Sequence, residues 1–390
     1  MFSERLIVRV AILFLAIVSP AAARCQSAPG APGSVSAWTR ANKEGVGTAT
    51  TTDSKVWFTL EGGILTEVYY PRLDTANVRM LEFAVSNGDS VWLESKDMEH
   101  SLERLTDDAL VYRQTSRDAG HNFEIRKTYV TDPQRNSLLI DVSFSGDPKY
   151  SLYVLYEPSL KNFGANDTGY TLHGALVAEK EDTASALVSS VGFSQMTSGF
   201  SGSSDGYTDL LLHRHLEWSY ARAEKGNIVQ SAKITGGHFT LVLGFGPTAN
   251  DAIAIAKASL EQGFSAARTE YIRGWSDYAG TLRKVPEPYA REFRLAAMVL
   301  KAHEDKTYRG AMIASMSIPW GNAVPSEVPN TGGYHLVWAR DLYEVATGLL
   351  AAGDRAAAEL SVQHSAEAGW KLPAKLLARR ASLLEPCTDG

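Results

Sequence analysis

Between residues 36 and 247 apolar residues return at every second position, and this period constrains the fold more than any other feature of the chain. Val56/Phe58/Leu60, Leu138/Ile140/Val142/Phe144, Leu152/Val154/Tyr156 and Phe239/Leu241/Leu243/Phe245 all show this period of two. Side chains of a strand point to opposite faces in turn, so each run predicts a strand with one face against a core. Glu61-Gly62-Gly63, Ser86-Asn87-Gly88-Asp89 and Thr235-Gly236-Gly237 punctuate the runs as turns. Many strands separated by short turns predict a large antiparallel β-sandwich over 36–247.

At Gly246-Pro247 the period changes. Residues 251–279 are rich in helix formers and predict a connector of one or two helices within 248–287. Pro286 and Pro288 close the connector and open a helix with Phe293, Ala296, Ala297 and Leu300 at i, i+3, i+4 and i+7. A second amphipathic helix is predicted from about residue 339, with Leu342, Val345, Ala346, Leu349 and Leu350 on one face and Gly353 as its stop. Between the two helices lies KTYRGAMIASMSIPWGNAVPSEVPNTGGYHLVW, dense in Pro, Gly and aromatics. Loops of this length inside a compact domain usually serve a site, and this one is read as the wall of a site.

Composition narrows the function classes. The 390 residues are 44% apolar and 21% charged, ordinary for a soluble protein of two or three domains. The formal net charge is −6, with Lys and Arg scattered, so the basic footprint of a nucleic-acid binder is missing. Arg5 and Arg9, the apolar run Val10 to Val18 and the small residues Ala21-Ala22-Ala23 predict a cleaved signal peptide over 1–23, hence a secreted or periplasmic protein. A Pro/Gly/Ser-rich leader follows over 24–35, and no later window predicts a membrane span. The cysteines, Cys25 and Cys387, lie outside the predicted domains.

The chemistry concentrates in Gly332-Gly333-Tyr334-His335-Leu336-Val337-Trp338-Ala339-Arg340-Asp341. A sugar offers hydroxyls at its edge and C–H groups on its faces, so proteins that hold one combine aromatic platforms with convergent charged groups. Asp341 can accept from two hydroxyls, and Arg340 donates a planar fork beside it. Tyr334, Trp338 and Trp320 are the candidate platforms. The alternative reading makes the Arg-Asp pair a helix cap with surface charge and Trp338 a core residue. Asp205 and Asp209 are candidate calcium ligands, although their spacing is not that of an EF-hand loop.

KTYRGAMIASMSIPW followed by GGYHLVWARDLYEVATGLLAAGD resembles the start of the catalytic domain of bacterial glucoamylases and glucodextranases, glycoside hydrolase family 15. The β-region is similar to their N-terminal sandwich in SKVWFTLEGGILTEVYYPRLDTANVRMLEF, YEPSLKNFGANDTGY and SGFSGSSDGYTDLLLHRHLEW. The resemblance runs from Ala31 to about Ala358. It implies that 288–360 begins an (α/α)6 barrel and that Arg340 and Asp341 bind the non-reducing terminal glucose of an α-glucan. It also implies that Tyr334 and Trp338 line that subsite, with Trp320 in the preceding loop.

Inverting glycosidases need two carboxylic acids. In the family both are glutamates on later barrel loops, and only about 100 residues follow Pro288. Asp305, Glu327 and Glu344 are not nominated as substitutes. The expectation is therefore a monomeric, cofactor-free glucan exo-hydrolase in truncated, inactive form, with Leu342, Leu349, Phe293 and Leu300 partly unburied. The alternative is a non-catalytic carbohydrate-binding or structural β-module. The tail 361–390 departs from the family pattern. From Gly369 to Leu377 the codons, read one base on, permit Asp-Gly-Ser-Phe-Pro-Gln-Asn-Ser-Trp, which resembles the family's continuation and predicts a frameshift between about Ala358 and Gln363.

Overall fold

The computed structural model describes residues 26–317, 324–325 and 333–367. Residues 1–23, predicted as a signal peptide, both cysteines, Trp320, Glu327 and most of the tail lie outside the described residues. In chain order the strands are β1 (Gly45–Thr48), β2 (Trp57–Glu61), β3 (Ile64–Tyr69), β4 (Ala76–Ser86), β5 (Val91–Leu93), β6 (Glu99–Arg104), β7 (Tyr112–Arg117), β8 (Phe123–Thr131) and β9 (Ser137–Gly146). They continue as β10 (Ser151–Pro158), β11 (Asp167–Leu172), β12 (Ala175–Lys180), β13 (Thr183–Ser189), β14 (Gln195–Phe200), β15 (Arg222–Gly226), β16 (Ile228–Ile234) and β17 (His238–Gly246). The helices are α1 (Glu94–Asp97), α2 (Gly206–His213), α3 (Ala249–Gln262), α4 (Phe264–Thr281), α5 (Ala290–Ala302), α6 (Ala339–Ala352) and α7 (Arg355–Glu367).

The strands pair antiparallel in two sheets, one ordered β1-β2-β3-β4-β10-β16-β14 with β5 on β4, the other β15-β11-β12-β13-β17-β9-β8-β7-β6. Phe58 on Tyr129 and Phe83 on Phe239 meet across the interior, and the alternating residues named above are buried there, apart from the partly buried Phe144. This is the expected β-then-α order with a double-sheet core. Burying each such side chain contributes roughly 1.5–3 kcal/mol.

Period two also brings a charge inside. Lys127 shares its face of β8 with Ile125 and Tyr129, all buried. Its ammonium donates to the Gly63 carbonyl and lies 2.6 Å from Glu94 Oε1, while Phe83 N–H donates to Glu94 Oε2. Burial pushes the Glu94 carboxyl up and the Lys127 ammonium down, against their mutual attraction.

The described part of the leader is not a free arm. Ser27 bridges to Arg222 on β15, Ser34 N–H donates to Ser201 and Asn227 N–H to Pro32. Residues 26–34 thus cover the β15 edge, whose unpaired backbone groups would otherwise be a template for pairing. The connector is likewise part of the body. Gly263 separates α3 from α4, and α4 sends Tyr271 Oη to the Leu110 carbonyl (3.1 Å) and Trp275 Nε1 to the Thr48 carbonyl (2.9 Å).

The helical part departs from the predicted packing in two respects. On α5 the buried residues are Ala290, Ala297, Met298 and Ala302, and Ala296 is exposed. Leu342 and Leu349 of α6, expected to be partly unburied, are buried because Met312 of the preceding loop and Ala357 of α7 close over them. Phe293 and Leu300 are half-buried. Gly353, left-handed at φ 98°, ends α6. Helix α7 continues through residue 361, where the predicted tail begins.

Candidate functional site

The loop after α5 is built on its own hydrogen bonds. His303 Nδ1–H donates to the Val299 carbonyl (2.7 Å), which leaves Nε2 to accept the Met316 N–H (3.1 Å). The second bond requires the neutral ring, and burial lowers the His303 pKa against the upward pull of the bond to Val299. Glu304 accepts from Lys301 Nζ, Arg309 Nε and the Gly310 N–H. Burial pushes its carboxyl up, but the Lys301 and Arg309 charges outweigh burial and leave the pKa lowered. Asp305 Oδ1 accepts from the Thr307 and Tyr308 N–H groups, both at 2.8 Å, and closes the turn. Both carboxylates are therefore committed to structure, and Glu344 stands exposed on α6.

Ala314 N–H donates to Leu336 O (3.1 Å) and Ser315 N–H to Tyr334 O (3.0 Å), so the two ends of the loop lie side by side. The returning segment, turn and irregular backbone up to α6, alternates in exposure. Tyr334 and Trp338 are 46% and 50% exposed, while His335 between them is 1% exposed. Trp338 is therefore no core residue. Its indole N–H is committed to the Gly333 carbonyl at 2.9 Å.

Trp338 precedes α6 as its N-cap residue and offers no side-chain cap, so Arg340 and Asp341 fall in the first turn. Free N–H groups and the positive end of the helix favour a carboxylate there. Arg340 is 85% exposed in its side chain and Asp341 30%, with 3.7 Å between Nη2 and Oδ2. A contact that long and wet contributes little to stability, which leaves both groups available. The structure thus gathers Tyr334, Trp338, Arg340 and Asp341 on one short segment. A cleft of about 670 Å³ opens nearby between the sandwich and α5, with Lys43, Arg104, Tyr112, Glu292, His303 and Ser315 among its walls.

The two carboxylates read as calcium candidates have other partners. Asp205 caps α2 through the Thr208 N–H (2.8 Å), and Asp209 accepts from Glu217 and Trp218 N–H (2.9 and 2.8 Å) and pairs with His213. Among the described residues no group of three His, Cys, Asp or Glu gathers as a metal would require, and no helix is long and apolar enough to cross a membrane.

Sequence reasoning missed His335, Asp305 and Lys306, which join the two parts of the chain. His335 stacks on Tyr69 with 4.5 Å between ring centroids, and Nδ1–H donates to Leu73 O at 2.5 Å. Lys306 Nζ donates to Thr48 Oγ1 and Ser54 O and lies 4.9 Å from the Trp57 ring; burial pushes its pKa down to about 7. The alternation of Tyr334, His335 and Leu336 was a visible signal, but a histidine in the inward position does not count as apolar.

Fold and site together define a chain of the class in which a double-sheet β-domain is joined to helices that present an aromatic and charged cluster to solvent. The chain belongs to the glucodextranase domain N family. The profile described as Glucodextranase, domain N, matches residues 28–280, and that of Glycosyl hydrolases family 15 matches residues 290–378. A glucoamylase of Clostridium sp. (strain G0005) is 37% identical over 353 residues, covering 87% of this chain and 50% of that protein. A solved bacterial glucoamylase in complex with acarbose superposes with a TM-score of 0.83 at 38% identity, over 87% of this chain and 52% of that one. The chain thus spans about half the length of these relatives.

Proposed function

We propose that the chain carries the terminal-glucose grip of a glucoamylase-type glycoside hydrolase acting on α-glucans. The observation that carries this reading is the segment 334–341, which carries two half-exposed aromatic rings and, at the helix start that follows, an available guanidinium and carboxylate. The likeness to a glucoamylase solved with acarbose supports it. In this reading Trp338 and Tyr334 take the C–H faces of the sugar, Asp341 accepts from its hydroxyls and Arg340 donates to their oxygens. The grip binds and orients. Protonating the leaving oxygen and activating water fall to two further carboxylic acids.

Acarbose titration of the 390-residue chain by tryptophan fluorescence tests the reading. Saturable binding that falls at least tenfold in Trp338→Ala and in Asp341→Asn is expected. Unchanged affinity in both variants returns the segment to a cap and surface charge. The second reading, a carbohydrate-binding or structural module without catalysis, is favoured by the structural commitment of Glu304 and Asp305. Glucose release from maltose by this chain would exclude it. The proposal includes export, supported by Arg5, Arg9 and the apolar run after them; a mature N-terminus just beyond Ala23 checks this.

A further inference from the structure

The platforms of the grip are backed by a peg from their own segment, and the peg is seated in the other domain. Tyr334, Leu336 and Trp338 face outward, whereas His335 is buried on Tyr69 of β3 and donates to the Leu73 carbonyl. The amide of Leu73 is held as well, since its N–H donates to Asp305 Oδ2 at 2.9 Å. One residue of the β3–β4 turn is therefore gripped from both sides by the helical part, through groups thirty positions apart in the sequence. Asp305 also carries the turn that starts the site loop. Farther along, Trp38 N–H donates to Val324 O (2.9 Å), a second tie from the sandwich to the same loop.

The β3–β4 turn is a firm seat. Tyr70 N–H donates to Thr75 O, Asn77 Nδ2 to Tyr70 O and Asn162 Nδ2 to Asp74 O. Leu73 itself is fully buried. A stacked ring and a directed hydrogen bond define both the depth and the rotation of His335, and the residues on either side of it follow through the backbone.

Resting on the glucan reading above, we propose that Tyr69 and Leu73 of the β-domain, acting through His335 and Asp305, are positioning residues for the sugar grip. The sandwich is then part of the binding site's geometry and more than an appended module. None of the four touches sugar in this assignment. Their effect is to set where Tyr334 and Trp338 stand relative to Arg340 and Asp341.

The test uses the full chain and two readouts. Hydrogen exchange at the Ala314, Ser315 and Leu342 amides, which bond Leu336, Tyr334 and Trp338, reports the seating of the segment without any sugar. Acarbose affinity reports the grip. Tyr69→Leu and His335→Leu, made on opposite sides of the joint, are each expected to speed exchange at these amides and to weaken acarbose about tenfold. The double variant should be little worse than either single one, because both remove the same contact. Exchange in the β9 and β17 core should stay as in the wild type. Unchanged exchange in that core, beside faster exchange at the three amides, separates a loosened segment from a general loss of stability. Failure of the wild-type chain to bind acarbose overturns the glucan reading and this assignment with it. Normal binding, with exchange and affinity in Tyr69→Leu and His335→Leu within twofold of wild type, overturns the positioning alone.

Discussion

Acid should loosen the joint at His335. Burial pushes its pKa down from 6.5 to about 4, against the upward pull of the bond to the Leu73 carbonyl and of Glu67 and Asp74, while His303 pushes it lower. Because the folded protein resists protonation that the unfolded chain accepts, the unfolded state holds more protons between these two values. Stability contributed by the neutral ring is therefore fully present above pH 6.5 and is lost as pH falls towards 4. A difference of about 2.5 pH units at about 1.4 kcal/mol per unit gives a full loss of roughly 3–4 kcal/mol, of which about 2 kcal/mol is gone at pH 5. Other buried groups titrate too, including Asp167, which burial raises to about 8, so the wild type alone does not isolate the effect. The measurement is the difference between wild type and His335→Gln, followed by urea unfolding from pH 8 to pH 4.5. The wild type's advantage should shrink by about 2 kcal/mol between pH 8 and pH 5. A difference that is flat across this range refutes the reasoning, since it would mean that His335 takes its proton in the folded protein as readily as in water.

Three further outcomes follow from the structure. Lys127→Met leaves Glu94 buried beside no cation and should cost about 3–5 kcal/mol, while adding Glu94→Leu should recover most of it; equal melting of the single variant and wild type would contradict the buried pair. Gly310→Ala places a Cβ 2.2 Å from the Leu360 carbonyl at a φ of +83°, so α7 must move away; a loss of at least about 1–3 kcal/mol and faster proteolysis within 355–367 are expected. Arg340→Ala should weaken acarbose while leaving the melting temperature within about a degree, because an exposed ion pair at 3.7 Å carries little stability.

Much of the fold is local and was legible for that reason. Alternation in 138–144 or 239–245 needs only the geometry of one strand to imply a buried face, and Glu61-Gly62-Gly63 joins β2 to β3 as a two-residue turn whatever lies opposite. The start of α6 at Ala339 and its stop at Gly353 are likewise set by neighbours in sequence, which is why the sequence places Trp338, Arg340 and Asp341 at a helix entrance. What periodicity names is a face, and it is silent about the group that faces it. Lys127 keeps the inward register of Ile125 and Tyr129, yet its admission depends on Glu94 and on a carbonyl at Gly63. His335 keeps the inward register of its own segment, yet its partners stand 262 residues away at Leu73 and on the Tyr69 ring. The leader's composition names no partner, and it is the edge of β15 and the backbone at Ser201 that hold it. The sequence by itself determined which residues turn inward and where the helices and turns begin and end, because those depend on backbone geometry over a few residues. The tertiary structure alone decided which polar residues may be inward, because burying a charge or an imidazole is tolerable only where a distant part of the chain supplies its hydrogen bond.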